Sequence, residues 1–179
     1  MKFIPLAIPD VILIQPRVFE DSRGFFYEVY NQSVFSEHGI KDTFVQDNLS
    51  ISAKGVVRGL HYQVPPRVQA KLVRVLHGAI LDVVVDIRKG SKTFGQHVTG
   101  RLCAEKREML YVPAGFAHGF CALEEDTEVM YKVSELYSRE HERGILWNDP
   151  SLAIEWPRLD FILSDKDQKF PPLKQALTL

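Results

Sequence analysis

Most of the chain alternates hydrophobic and polar residues with a period of two, the pattern of a β-strand with one buried face. In residues 72–76 and 128–133, β-branched and aromatic residues alternate with polar ones. His77 and Gly78 stand where a two-residue hairpin turn would join two such strands. Further glycines are spaced like turns between short strands: Gly55, Gly90, Gly95 and Gly100. The pattern predicts an antiparallel sandwich or barrel.

Signals for helices are few. Residues 31–38 predict a helix of one or two turns that ends before Gly39. Ser164 predicts the N-cap of a second short helix, which Pro171 and Pro172 would end. No internal repeat, low-complexity tract or linker interrupts the sequence. We therefore expect a single all-β domain over residues 1–179, with a few short helices.

Composition and charge narrow the class of protein. The chain is 45% hydrophobic and 25% charged, as in ordinary globular proteins, and its net charge of −1 gives no bulk attraction to nucleic acid or to an anionic membrane. Cys103 and Cys121 form neither a close ligand pair nor a disulfide framework, which fits a reducing compartment. Pro5, Pro9 and Asp10 interrupt the apolar N-terminal residues, and no apolar run approaches about 18 residues. We expect a soluble cytoplasmic protein without nucleic-acid or membrane partners.

The Pro-x-Gly-x-x-His turn at residues 113–118 resembles the second sequence motif of the cupin superfamily. In metal-dependent cupins this histidine is one ligand, and an earlier His-x-His and a carboxylate supply the others. Here Gln63 stands in place of the second histidine, and Gln69 or Lys71 in place of the carboxylate. An ammonium repels a cation, and two histidines alone hold zinc or iron poorly. The sequence thus predicts no metal and no other cofactor, and it disfavours a metal-dependent dioxygenase.

Three residues near this turn suit enolisation of a ketone. His61 can accept a proton near neutral pH, Lys71 can hold the negative charge of an enolate, and Tyr131 can return a proton from its strand. A histidine or tyrosine on a strand is more often a core residue than a catalyst. The three residues alone therefore leave a non-catalytic sugar-binding protein open.

A series of motifs along the chain is more specific than any one of them. In order they are Arg23-Gly-Phe-Phe-Tyr-Glu28, Gln46-Asp-Asn48, Arg58-Gly-Leu-His61, Gln69-Ala-Lys71, Pro113-x-Gly-Phe-x-His118-Gly-Phe120, Tyr131 and Trp147-Asn-Asp-Pro150. With these motifs the chain resembles the dTDP-4-dehydrorhamnose 3,5-epimerases over nearly its whole length. The resemblance implies a cupin-type antiparallel β-barrel (jelly roll), a dTDP-sugar substrate and a role in dTDP-L-rhamnose synthesis. Four phenylalanines are expected in the core or the pocket wall: Phe25, Phe26, Phe116 and Phe120.

The resemblance also implies roles for the residues of the reaction. His61 would remove the protons on either side of a sugar 4-ketone, Lys71 would hold the ketone oxygen, and Tyr131 would return the proton from the opposite face. Asp167 would orient His61, with Asp165 as the alternative partner. The expected reaction is epimerisation at C3 and C5 of dTDP-4-dehydro-6-deoxy-D-glucose to dTDP-4-dehydro-L-rhamnose. The alternative is a dTDP-4-ketosugar 3-epimerase of another deoxysugar pathway.

Further positions of the resemblance imply binding of the nucleotide sugar. Arg23 and Arg58 offer bidentate donors to the pyrophosphate, and Tyr137 offers a stacking surface for the base or sugar. The other expected binding residues are Glu28, Gln46, Asp47, Asn48, His118, Glu142 and Lys166. The resemblance implies a homodimer, with residues 3–15 and 25–30 as the strands exchanged between copies.

Overall fold

The fold consists almost entirely of strands. The computed structural model describes residues 1–179, with thirteen strands, one α-helix and three single 3₁₀ turns. The strands are β1 (Lys2–Pro5), β2 (Ile12–Gln15), β3 (Val18–Asp21), β4 (Gly24–Tyr27), β5 (Gln46–Ser52), β6 (Val57–Gln63), β7 (Lys71–His77), β8 (Ala79–Asp86), β9 (His97–Cys103), β10 (Met109–Val112), β11 (Phe116–Ala122), β12 (Thr127–Val133) and β13 (Glu142–Gly144). The helix is α1 (Gln32–Glu37), and the 3₁₀ turns are Ala104–Lys106, Asp167–Lys169 and Leu173–Gln175. None of these helical segments has the length and apolar composition needed to cross a membrane.

Two antiparallel sheets face each other. The six-stranded sheet has the order β1-β2-β10-β7-β12-β5, and the five-stranded sheet has the order β13-β6-β11-β8-β9. Strands β3 and β4 form a separate two-stranded hairpin. The chain passes repeatedly from one sheet to the other, which is the topology of a jelly roll. The prediction of an all-β antiparallel jelly roll with a few short helices is confirmed.

The core lies between the two sheets, and both outer faces are also covered. Val73 of β7, Val84 of β8 and Phe116 of β11 meet in the central cluster. Phe35 of α1 packs on the outer face of the six-stranded sheet, and Leu152 packs on that of the five-stranded sheet. Because β8 is buried on both faces, its sequence is a nearly continuous aliphatic run instead of an alternating pattern.

The predicted hairpin at His77 and Gly78 is wrong. Strand β7 is paired with β10 on one edge and β12 on the other, so neither edge is free for β8. The chain instead crosses at Gly78, whose φ is +72°, into the five-stranded sheet, where β8 pairs with β9 and β11. The turn predicted at Gly100 is also wrong, because this residue lies inside β9.

The first helix is confirmed, and the second is shorter than predicted. Asn31 caps α1 by accepting hydrogen bonds from two backbone N–H groups of the first turn, and Gly39 follows the helix with a φ of +87°. Ser164 does accept a hydrogen bond from the N–H of Asp167 at 3.1 Å. The segment then makes a single 3₁₀ turn before Phe170, which takes the extended conformation favoured before Pro171.

The phenylalanines divide between core and surface. Phe116 and Phe120 are buried as predicted, whereas Phe25 and Phe26 are exposed. The latter two are not in the core, because the β3–β4 hairpin pairs with neither main sheet; they line a shallow pocket on the hairpin itself.

Candidate active site

A cavity of about 970 Å³ opens on one side of the jelly roll. Its walls come from β5, β6, β7, β11 and β12 and from the segment around Ser164. An adjoining recess of about 240 Å³ shares His61, Lys71 and Tyr131 with it. Twelve of the fourteen predicted site residues line the two spaces: His61, Lys71, Tyr131, Asp167, Gln46, Asp47, Asn48, Arg58, His118, Tyr137, Glu142 and Lys166.

Two histidines lie side by side in the wall of the cavity. His61 of β6 is directly opposite His118 of β11, so both rings project from the same face of the sheet. The strands approach closely here because Gly59 and Gly119 face each other without side chains. A Cβ on Gly59, whose φ is +141°, would lie 2.5 Å from the Cα of Gly119. The glycines that flank the two histidine motifs therefore bring the rings together.

His61 is paired with Asp167. The Nε2 atom of His61 lies 2.7 Å from Oδ1 of Asp167, and Oδ2 accepts a hydrogen bond from the backbone N–H of Gly59 at 3.4 Å. Asp165, the alternative partner, is exposed to solvent. The aspartate that reaches the histidine is the one on the 3₁₀ turn that Ser164 caps.

The surroundings of the pair favour a neutral imidazole at rest. Burial lowers the pKa of His61 from its usual 6.5, and the hydrogen bond and charge of Asp167 offset part of that shift. Burial alone would raise the pKa of Asp167, but the hydrogen bond with His61 leaves that pKa below its usual value. A neutral histidine beside an ionised carboxylate can accept a proton and is then stabilised as an imidazolium.

Lys71 and Tyr131 supply a cation and a proton donor. The Nζ atom of Lys71 donates to the backbone oxygen of His61 at 3.1 Å, which leaves two N–H groups for a ligand. Burial lowers the pKa of Lys71 to about 8, while the charges of Asp82 and Glu142 oppose that shift. Burial raises the pKa of the Tyr131 phenol, so the hydroxyl keeps its proton at neutral pH.

A polar network forms one side of the recess. Glu142 accepts hydrogen bonds from Lys166 at 2.7 Å and from the Tyr137 hydroxyl at 3.0 Å. Although burial acts against ionisation, the Lys166 ammonium holds the pKa of Glu142 below its usual value. The side chain of Gln46 bonds to Asn48 and to the backbone N–H of Tyr137.

Two exposed charged residues, Arg58 and Asp47, line the cavity. Arg58 donates to the hydroxyl of Ser52 and to the backbone oxygen of Ile51, so its guanidinium is held against β5. Asp47 is paired on the surface with Lys132 at 2.8 Å. The fixed guanidinium is suited to a phosphate group.

The chain does not bring Arg23 or Glu28 to its own cavity. Arg23 is paired with Asp21 on the β3–β4 hairpin at 2.6 Å, and its side chain is exposed. Glu28 accepts a hydrogen bond from Asn31 at the start of α1. Both residues precede β5 in a segment that pairs with neither main sheet, which explains why their predicted place in the site is not found within one chain.

Sequence reasoning missed two residues beside this cavity. Asp82 is buried against His118, and Ser50 lines the cavity with a buried hydroxyl that has no partner. A signal existed for Asp82, because it is a charged residue within the aliphatic run of β8. Serine on an alternating strand gives no such signal.

The donor set does not fit a metal. Gln63 uses its amide on backbone groups of the neighbouring loops, with the oxygens of Arg67 and Leu136 as acceptors and the N–H of Ser138 as a donor. Lys71 brings an ammonium to the same space. No group of three or more His, Cys, Asp or Glu side chains in the structure could hold a metal ion.

The jelly roll defines a cupin-type protein, and its cavity holds a histidine, a lysine and a tyrosine, which are groups able to transfer protons. The family model described as dTDP-4-dehydrorhamnose 3,5-epimerase matches residues 5–175, and the chain belongs to this family. The enzyme of that name from Shigella flexneri is 55% identical over 174 residues, covering 95% of this chain and 96% of its own length. The one from Pseudomonas aeruginosa is 56% identical over 171 residues, covering 94% of each chain.

A solved structure extends the likeness to the fold. The crystal structure of dTDP-6-deoxy-D-glucose-3,5-epimerase from Legionella pneumophila, in complex with dTDP-4-keto-L-rhamnose, is 45% identical. It superimposes with a TM-score of 0.94 and covers 97% of this chain and 93% of its own. These names support the 3,5-epimerase prediction and not the 3-epimerase alternative.

Proposed function

We propose that the chain is an epimerase that inverts C3 and C5 of dTDP-4-dehydro-6-deoxy-D-glucose to give dTDP-4-dehydro-L-rhamnose. The observation that carries the proposal is the 2.7 Å contact between His61 and Asp167 in a cavity that also holds Lys71 and Tyr131. The relatives named for this reaction cover nearly the whole chain at more than half identity. A binding protein without catalysis would not need these four groups together.

Proton abstraction is assigned to His61. Its Nε2–H is donated to Asp167, so Nδ1 is the nitrogen left to take a proton from carbon next to the 4-ketone. The electron pair of the broken C–H bond moves into the enolate, whose oxygen carries the negative charge. Lys71 holds that oxygen with the N–H groups it does not use on the backbone.

Reprotonation is assigned to Tyr131. Inversion requires the proton to leave one face of the sugar ring and another to arrive on the opposite face, so base and acid must be different groups. The phenol of Tyr131 keeps its proton because burial raises its pKa. After transfer, the tyrosinate regains a proton from solvent and His61 releases one. The same cycle then serves the second carbon, because both flank the same ketone.

Incubation with the ketosugar in deuterated water tests the proposal. We expect NMR to show deuterium at C3 and C5 together with the inverted product. Deuterium and inversion at C3 alone would contradict the double epimerisation. Binding of the ketosugar without any exchange would contradict enzymatic activity.

We propose that turnover needs no metal, because Gln63 and Lys71 occupy the positions of metal ligands in metal-dependent cupins. After dialysis against a chelator, the rate of epimerisation should be unchanged. A lost rate that zinc, iron or manganese restores would overturn this mechanism.

We propose a homodimer in which the β3–β4 hairpin of one copy lies along β5 of the other. Strand β5 is an edge of the six-stranded sheet, with Leu49 and Ile51 exposed, and the hairpin exposes Phe25 and Phe26. Covering both apolar surfaces would bring Arg23 towards the cavity of the other copy. Sedimentation at micromolar concentration should give a dimer, and Phe26→Asp should weaken it. A wild-type monomer would contradict the proposal.

The cytoplasmic location stays a prediction. It is supported by two free, buried cysteines.

A further inference from the structure

Asp82 is a buried carboxylate outside the set of groups assigned to the reaction. It lies in the middle of β8 and is only 1% exposed. Its two oxygens lie 3.1 and 3.0 Å from the same atom, Nε2 of His118. One imidazole N–H is thus the partner of an entire carboxylate group.

A buried carboxylate with so few donors needs a compensating charge. Removing an ionised group from water costs several kcal/mol, and one hydrogen bond from an imidazole N–H offsets only part of that cost. Arg88, the first cation after β8, is paired with Asp86 and Asp10. The cation that remains inside the jelly roll is Lys71, which is 7% exposed and has a backbone oxygen as its hydrogen-bond acceptor.

The groups that face Lys71 come from every wall of the cavity. They are Asp47 from β5, Arg58 and His61 from β6, His118 from β11, Tyr131 from β12, Glu142 from β13, and Lys166 and Asp167 from the C-terminal segment, with Asp82 of β8 behind His118. Three of the four carboxylates are already paired, Asp47 with Lys132, Glu142 with Lys166 and Asp167 with His61. Asp82 has no Lys or Arg partner, and its one partner is the imidazole of His118.

We propose that Asp82 is a positioning residue for the epimerisation, which orients His118 and supplies the counter-charge that keeps Lys71 protonated. This role rests on the proposed function, because the charge of Lys71 affects catalysis only if Lys71 holds an enolate oxygen. Asp82 lines neither the cavity nor its recess. It acts through the two side chains between it and the cavity.

The consequence is a defined pH dependence. Lys71 is active in its protonated form, so activity should fall as the pH rises through its pKa of about 8. Removing the negative charge of Asp82 disfavours the protonated form and lowers this pKa further. The alkaline limb of the rate profile should therefore move to lower pH when Asp82 is neutralised.

The variant Asp82→Asn keeps the shape of the side chain and removes its charge. We expect the alkaline limb of kcat to shift by about one pH unit, so that the activity of the variant relative to the wild type is about sixfold lower at pH 8.5 than at pH 6.5. KM should change less than kcat. As a matched control, Asp149→Asn neutralises another buried aspartate, which accepts hydrogen bonds from Ser151 and from the backbone N–H of Leu173 away from the cavity. This control variant should lower the free energy of unfolding without shifting the alkaline limb of the rate profile.

Titration of the free protein separates this proposal from the proposed function. The ¹³C shift of the Lys71 ε-carbon should report a lower pKa in Asp82→Asn than in the wild type, with no substrate present. An unchanged lysine pKa in the folded variant would overturn the role of Asp82. A lowered pKa in a protein that does not epimerise would uphold the coupling and contradict the proposed function.

If Asp82→Asn does not fold, Asp82→Glu tests whether the charge of Asp82 sets the alkaline limb. It retains the charge while displacing the carboxylate from His118. We expect a lower kcat with the alkaline limb in place. A limb that moves by a full unit although the charge is kept would contradict the proposal.

Discussion

The structure has two histidine–aspartate pairs whose histidines lie on neighbouring strands of one sheet, and the two rings differ in their exposure to the cavity. The His61 side chain is 26% exposed, whereas the His118 side chain is 7% exposed. Asp167 reaches His61 from the C-terminal segment and also accepts a backbone N–H, while Asp82 lies within the sheet with His118 as its donor.

The same two residue types are thus placed for different tasks. A ring with one nitrogen open to the cavity can exchange a proton with a substrate and then with solvent. A ring enclosed beside a buried carboxylate is suited to holding a charge in place. The surroundings of each pair, and not the identity of its residues, decide which task it can perform.

The largest expected difference in epimerisation and proton exchange is between the variants His61→Asn and His118→Asn. The first should stop both epimerisation and exchange of carbon-bound protons in deuterated water, a loss on the order of 10²–10⁴-fold or more for a general base. The second should retain measurable exchange. His77→Asn, at an exposed histidine, is the control for handling and folding. Normal exchange by His61→Asn would remove the distinction between the pairs and with it the proposed base.

Tyr131→Phe separates the two proton-transfer steps. Without the hydroxyl, His61 can still form the enolate and return a solvent-derived proton to the same face. We expect deuterium incorporation with retained configuration, while epimerised product falls on the order of 10²–10⁴-fold. NMR of the recovered ketosugar measures both quantities. Epimerisation at the wild-type rate would mean that another group or a water is the acid.

Asp167→Asn sharpens the contrast between an oriented and an unoriented His61. We expect kcat to fall on the order of 10²-fold, the lower end of the range for a general base, because the base remains but its imidazolium loses the counter-charge. Loss of that charge also lowers the pKa of His61 further, so the acid limb of the rate profile should move to lower pH. Asp165→Asn, two residues away and exposed, should behave as the wild type. Equal losses in both variants would count against the observed pairing.

The smallest effect should come from Arg58→Ala, which leaves both pairs intact. Loss of a charged hydrogen bond to the pyrophosphate should weaken dTDP binding by roughly 1.5–3 kcal/mol, or about 10- to 150-fold in Kd. Calorimetry with dTDP measures this directly. Arg101→Ala, whose guanidinium is paired with Glu124 on the surface, is the matched control. Unchanged affinity in Arg58→Ala would place the pyrophosphate elsewhere.

The sequence by itself determined the strands, the class of fold and most of the site. Alternation of polar and apolar residues is a local property, so strands such as β7 and β12 were predicted close to their observed bounds. The motifs that hold His61, His118, Lys71 and Tyr131 are likewise local, and all four side chains reach the cavity. The single domain over residues 1–179, the absence of a cofactor and the dimer remain predictions.

The tertiary structure alone decided which groups meet. Asp167 lies 106 residues from His61, and no local pattern distinguishes it from Asp165; the distinction arises when the capped turn docks on β6. The crossing at Gly78 depends on β7 having both edges occupied, which only the assembled sheet shows. In the sequence, Asp82 is only a charged residue within an aliphatic strand. Its partner His118 is brought against it by the pairing of β11 with β8. All three features are contacts between segments that are distant in the sequence. They are decided by the tertiary structure, because packing and charge compensation in the whole fold supply the free energy that selects them.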